Sequence, residues 1–452
     1  MKTYIILFLA VLGIFFGNSG THLRAQMFGI APQKVPVLTQ PATIKTTAIS
    51  VLNSTYNELN PNISPDGKYL FFMSKRGGMP WSKSRPDDAS GGFDGDIWFS
   101  QKVNNAWSAP VSLGATVNTF DGEDEPNISP DGQTVYYQSW KDWEEKGGPY
   151  YKAALQGTYW GTPQALSGGI HQFFLNTSKK TSEYATDGMT ISPDGNTFIV
   201  AMGNYIGNMD LYISFKVNEI WSYPTKLNIS TLYNERAPFI AADGKTLYFA
   251  SNGYTSAGGL DIFKGTLNPN GTVTGVVNIG APFNTAENDQ GFILTADGKE
   301  AYFVRNGDIY YADITASPKE MKPKNTLIIE GTITSKRTKK PLNANITFEI
   351  GKTTKTILSN AYTGKYVIVL GKNDIKQLNQ AVKKAGYALY AKAISISNQD
   401  NSEKITLNIE LEDSQESIKQ REEAKRKEDL KNGKTLIQQK YARREAMAEY
   451  PR

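Results

Sequence analysis

Short apolar runs, each set behind a polar turn, recur along most of this chain. The clearest copy is Asn60-Pro-Asn-Ile-Ser-Pro-Asp-Gly-Lys-Tyr-Leu-Phe-Phe-Met-Ser, ending at Ser74. Ser-Pro-Asp-Gly suits a type I turn: Pro65 presets φ, Asp66 favours the third position and Gly67 accepts a positive φ. Tyr69 to Met73 is β-prone and too short for a helix, so the unit predicts strand, turn and strand. It returns at Asn127-Ile-Ser-Pro-Asp-Gly, Ile191-Ser-Pro-Asp-Gly, Ile240-Ala-Ala-Asp-Gly and Leu294-Thr-Ala-Asp-Gly, each followed by an apolar run. The turn aspartates are Asp66, Asp131, Asp194, Asp243 and Asp297, a period of 49 to 65 residues. Strand-rich repeats of this length predict the blades of a propeller.

Each repeat continues in a regular way. A variable loop leads to a third strand opening with Asp in Asp96-Ile-Trp-Phe, Asp210-Leu-Tyr-Ile, Asp261-Ile-Phe-Lys and Asp308-Ile-Tyr-Tyr, with Tyr150-Tyr-Lys-Ala in the second copy. A fourth strand is marked by Trp107-Ser-Ala-Pro, Trp160-Gly-Thr-Pro and Trp221-Ser-Tyr-Pro. The fifth copy ends without one. Val35-Pro-Val-Leu matches Ala109-Pro-Val-Ser-Leu and Val51-Leu-Asn-Ser matches Val117-Asn-Thr, so residues 34–54 are expected to complete the last blade and leave no free edge. The expected fold class is all-β: a five-bladed propeller (six if the long second repeat hides a degenerate blade), then a small β-sandwich and a charged helical tail.

The repeat resembles the PD40 (WD40-like) unit of TolB-type propellers and of cell-envelope proteins of the Bacteroidetes. Ser317 to Lys324 has the composition of a linker. After it, Ile328-Ile-Glu-Gly-Thr-Ile-Thr, Lys340-Pro-Leu-Asn-Ala-Asn-Ile-Thr-Phe and Tyr362-Thr-Gly-Lys-Tyr-Val-Ile-Val-Leu resemble a carboxypeptidase regulatory-like sandwich over residues 326–411. Between its strands, Ile375, Leu378 and Val382 stand at helical spacing, and Asn373 to Lys384 is expected to be a short helix. This domain order is similar to that of PorE-type envelope proteins, whose helical-repeat and OmpA-like domains have no counterpart here. The tail, residues 412–452, holds 11 basic and 9 acidic residues. Glu422 and Arg426 form a favourable i,i+4 pair, Asn432-Gly433 is expected to break the helix, and Leu436, Ile437 and Tyr441 form a thin apolar stripe. The tail is either a solvated helix or a docking helix.

Composition narrows the setting. Lys2, the apolar run Tyr4 to Phe16 and Leu23-Arg24-Ala25 read as a signal peptide over residues 1–25, and no second apolar stretch reaches membrane-spanning length. The expected location is the cell envelope, exported to the periplasm or associated with the outer membrane. With no cysteine the chain has no disulfide, so its core must hold it together. Net charge is +5, or +3 without residues 1–25, too weak for a nucleic-acid partner.

Catalytic chemistry has little to draw on. Past residue 25 the one histidine is His171, in a polar stretch without a nucleophile elbow, so neither a His/Cys zinc site nor a Ser-His-Asp triad is expected. No cofactor is expected. Aligned repeats place Glu58, Glu123, Glu235 and Asp289, with Thr186 in the third copy, just before the innermost strand, where they would ring the mouth of a central channel. They either hydrogen-bond adjacent turns blade by blade or share a cation. The loops on the same face carry Arg76, Trp81, Arg85, Asp94 and Trp143, and Glu123 lies in the crossover between them; tryptophan beside charge marks this as the expected partner-binding face. These features imply a non-catalytic exported envelope scaffold, an accessory of outer-membrane secretion or gliding-like machinery. The alternatives are a glycan-binding module and a hydrolase using propeller carboxylates.

Overall fold

The computed structural model describes residues 31–84, 92–180, 184–204, 208–372, 375–397, 399 and 401–448. The chain divides into two compact units. The first comprises residues up to 329 with 367–374 and 399–405, and the second 330–366, 375–398 and 406–452.

The first unit contains five antiparallel sheets in chain order, the blades of a β-propeller. Their inner strands are Glu58–Ile63, Glu123–Ile128, Tyr184–Ile191, Glu235–Ile240 and Asp289–Leu294. The second strands, such as Tyr69–Ser74 and Thr246–Ser251, are buried almost throughout because neighbouring blades cover both faces, which is why they read as unbroken apolar runs. Each turn between first and second strand forms as its sequence predicts. Ser64 Oγ donates to Asp66 Oδ1 (2.6 Å) and accepts from Tyr69 N–H (2.9 Å), while Gly67 sits at φ 71°. The same bonds recur at Ser129–Asp131, Ser192–Asp194 and Thr295–Asp297.

Closure differs in detail from the sequence match. The strand that completes blade five is Thr47–Ala48, paired with Tyr310 and Tyr311. Val35 to Leu38 instead runs along the outer strand of blade four, where Leu38 N–H donates to Asn278 O and Asn278 N–H to Pro36 O, both 2.9 Å. The N-terminal segment therefore ties two blades together. Ile44 is buried with blades four and five, and Leu52 is buried with blades five and one.

Residues 317–324, expected as a linker, are packed. Met321 is fully buried, Tyr248 Oη donates to its carbonyl (2.6 Å), and Lys324 N–H donates to Asp243 (2.7 Å). The apolar Met321 gives this polar stretch an anchor.

The second unit contains the sheet Thr353–Leu358, Asn345–Ile350, Gln377–Lys383 and Tyr390–Ser395. The helix expected over 373–384 is absent from its described part, because Gln377–Lys383 is a strand, paired with Asn345–Ile350 on one side and Tyr390–Ser395 on the other. Leu378, Gln380 and Val382 alternate inward. A spacing of four satisfies a strand's period of two as well as a helix's turn, and burial on a two-sided strand decides it. The tail is one helix, Gln415–Ala448, continuous through Asn432-Gly433. Ser414 Oγ accepts from Ser417 N–H (3.2 Å) at its start.

Leu52→Ala should destabilise the propeller by about 2–5 kcal/mol, the usual cost of a large-to-small core change. Urea unfolding measures it; an unchanged midpoint would show that the N-terminal segment does not hold the ring.

Candidate functional site

The carboxylates expected to ring the channel do not meet there. Each is fully buried and bonded to the crossover that precedes it and to its own blade. Glu58 accepts from Ser54 N–H (3.0 Å), Ser54 Oγ (2.6 Å) and Ser74 Oγ (2.8 Å). Glu235 repeats this with Thr231 N–H and Oγ1 (both 2.7 Å) and Ser251 Oγ (2.8 Å). Glu123 does so with Thr119 and Ser139, and Asp289 with Thr285 and Arg305 Nε (2.6 Å). In all four a Ser or Thr stands four residues before the acid, so each acid closes a tight crossover. Blade by blade bonding, the plainer of the two readings, describes them. Burial pushes the carboxyls of Glu123 and Glu235 up to about 7 against the hydrogen bonds that lower them.

The partner-face residues are also largely occupied. Arg76 spans Ser74 (2.9 Å), Glu58 (3.1 Å) and the Leu52 carbonyl, with its guanidinium over Phe72 and Trp98. Arg305 does the equivalent in blade five over Phe303 and Tyr310. Trp81 is half-buried and its Nε1 donates to Asp96 Oδ1 (3.1 Å). Asp94 is buried and accepts from Lys83 N–H (2.6 Å). Arg85 lies outside the described residues. Trp143, expected at the surface, is buried. It packs edge-on to Trp140 (5.6 Å) and His171 (6.1 Å) against the helix Gly169–Ser178. That helix was hidden in a stretch read as polar; Ile170, Phe173 and Phe174, three and four residues apart, were its signal.

Two groups that the sequence reasoning passed over remain on this face. Phe120 and Leu232, each just after the crossover Thr, are 55% and 59% exposed. Lys141 Nζ lies 6.0 Å from the Phe120 ring. Beside them, at the channel, every inner strand carries a bulge, and Asn60, Glu125, Gly188, Ala237 and Gly291 all hold a left-handed φ there. The bulge turns polar side chains toward neighbouring blades. Asn60 Nδ2 donates to Asp124 Oδ1 of the next blade (2.9 Å) and Arg236 Nη1 to Asp187 Oδ2 of the preceding one (2.8 Å). Glu125 bonds Thr186 and the Gly188 N–H of blade three and accepts from Tyr150 Oη of its own blade (2.6 Å). Burial raises Asp124 to about 6 and, with repulsion from Asp124, Glu125 to about 8. Asp124, Asp187 and Arg236 keep partial exposure.

Below these groups the channel narrows between Pro61, Pro126, Met189, Pro238 and Phe239 to voids of about 20 and 40 Å³. Ligand pockets run to about 300–1,000 Å³, so the inner channel has room for water and little else. Among the described residues, no three His, Asp or Glu side chains converge as metal ligands, and no helix is long and apolar enough to cross a membrane.

No protein-family model matches the sequence, and no curated protein is similar to it. The PD40 and regulatory-like resemblances therefore rest on the residues quoted for them. Solved structures similar to the chain include a putative TolB from Agrobacterium tumefaciens, 17% identical, covering 74% of this chain and 98% of that one at a TM-score of 0.35. TolB from Acinetobacter baumannii is 16% identical over 59% of this chain and 57% of its own (TM-score 0.33). The periplasmic gluconolactonase of Pseudomonas aeruginosa is 11% identical over 76% and 86% (TM-score 0.31). At these scores no activity transfers; the propeller is defined by the chain's own sheets.

The raised carboxyls predict a pH dependence. Glu123, Glu235, Asp124 and Glu125 hold protons in the folded chain that the unfolded chain releases between pH 3.8 and 4.5. Their contribution to stability is full below that range and is lost as pH rises through 6 to 8. The melting temperature should therefore fall between about pH 5 and 9, and less steeply in Glu125→Gln, which keeps an acceptor for Tyr150. A flat or rising profile would refute the assignment.

Proposed function

We propose that the chain is a non-catalytic, exported protein of the cell envelope whose propeller binds another protein on the crossover face. The observation that carries this is how the polar groups of that face are used. Arg76, Trp81 and the four crossover acids are committed to internal bonds, which leaves Phe120 with Lys141, and Leu232, as what a partner could touch first, with the internally paired but partly exposed Asp124, Asp187 and Arg236 beside them. An exposed aromatic beside a cation and a charged channel mouth suit a protein surface better than a reaction centre. The inner channel is too narrow for a substrate, and the buried, multiply bonded Glu58 and Glu123 are poorly placed to act as a hydrolase pair. The glycan reading rested on exposed tryptophans; Trp143 is buried and Trp81 has its indole N–H bonded to Asp96 at the start of the third strand. Export follows from the signal-like leader, and membership of an outer-membrane secretion or gliding-like machinery from the similarity of domain order.

A photo-crosslinking residue placed at Phe120 should capture an envelope protein in cells. The same residue at Asn196, in the turn at the opposite end of blade three, should not. Equal capture at both sites, or retention of the purified chain on polysaccharide with no adduct, would overturn the reading.

A further inference from the structure

The helix Gln415–Ala448 leaves most of its surface in solvent. Its first turns are held by Arg421, which bonds Asp413 (2.7 Å), but from Glu422 to Arg444 every residue except Gly433 is exposed. Within this stretch Leu430, Lys434, Ile437 and Tyr441 follow at intervals of four, three and four, the spacing that lines up the seam of a coiled coil. Leu430 is 66% exposed, Ile437 57% and Tyr441 64%. Gly433 beside them leaves a notch bordered by Arg426, Asp429, Leu430, Lys434 and Ile437, with two cations to one acid, and a Cβ built on the glycine would touch nothing. Such a notch is the hole that a knob from a second helix fills. A glycine there lowers helix propensity by about 1 kcal/mol, which a partner's packing would offset.

Charge selects the occupant. From Leu430 to Arg444 the helix carries five basic residues, Lys431, Lys434, Lys440, Arg443 and Arg444, and no acidic one. A second copy aligned seam to seam, parallel or antiparallel about Ile437, would set this basic stretch against itself. A lipid surface would want a broad apolar face, and here Leu430, Ile437 and Tyr441 make a narrow line with Leu436 alone beside it. We propose that this seam docks an acidic amphipathic helix of a partner protein, whose apolar residues meet Leu430, Ile437 and Tyr441 and whose carboxylates flank them. The proposal stands apart from the propeller-face reading, because it involves a different unit and a different partner chemistry.

The test uses the full chain and a labelled peptide of about 20 residues, with Leu at the seam positions and Glu beside them, against a counterpart with Lys in place of Glu. Fluorescence anisotropy should show the Glu peptide binding at least about tenfold more tightly, weakening from about 50 to about 300 mM salt. Ile437→Gln, which keeps helix propensity, and Lys440→Glu should each weaken it severalfold, with circular dichroism unchanged. Equal binding of both peptides, or none, overturns the proposal. So does preferential binding to phosphatidylglycerol vesicles, or a dimer in sedimentation that Ile437→Gln dissociates.

Discussion

The propeller depends on a buried carboxylate at the start of its inner strands. A carboxylate with no access to water is costly unless donors surround it. In four of the five blades the donors are the N–H and hydroxyl of a Ser or Thr four residues earlier and, opposite, a Ser or Arg of the second strand. Satisfying the acid forces the crossover into one tight shape. That shape sets where each blade begins relative to the last, and hence the ring. A local hydrogen-bond requirement is thus converted into the angular spacing of the blades, and the residues that look most like chemistry serve architecture.

This explains what was and was not legible in the sequence. Strand, turn and period were readable because they are local: Pro65, Asp66 and Gly67 dictate the turn within a few residues, and the run after it is apolar because both faces of its strand are covered. The four acids were recognised as equivalent, but whether they faced the channel or the crossover depended on a hydroxyl four residues upstream, which only the folded crossover brings into reach. Trp143 was misjudged for a related reason. It is paired with charge in sequence, yet the helix Gly169–Ser178, from the next crossover, supplies its cover. Tertiary cover is invisible to a local window. The strand Gln377–Lys383 was ambiguous, since residues four apart lie on one face of either element.

Blade three shows the same rule by its exception. At three junctions the third-strand aspartate of one blade lies near the inner-strand acid of the next: Asp96 with Glu123, Asp210 with Glu235, and Asp261 with Asp289, each pair close enough to raise a pKa. Between blades two and three both acids are missing, replaced by Tyr150 and Thr186. These are not two independent departures. Tyr150 donates to Glu125, and Thr186 and the Gly188 N–H bond the same carboxyl. Glu125, an additional acid two positions beyond Glu123 on the inner strand of blade two, becomes the buried acid of the junction, and both replaced residues turn to serve it.

That exchange also frees the crossover. With no acid at position 186 there is nothing for a tight crossover to close around, and at this junction the chain runs instead through the helix Gly169–Ser178. Ile170, Phe173 and Phe174 bury that helix, and Trp143, Tyr150 and Phe198 pack around it. The apolar packing that replaces the polar clamp draws Trp140 and Trp143 inward, so the same substitution that reshapes the junction removes the tryptophans from the face. What the face keeps, Phe120 and Leu232, belongs to crossovers that retain their clamp. There the tight turn leaves the residue after the Thr no interior to enter. Their exposure is a consequence of the carboxylate beneath them, and the scaffold that fixes the ring also fixes the aromatic and aliphatic groups it presents.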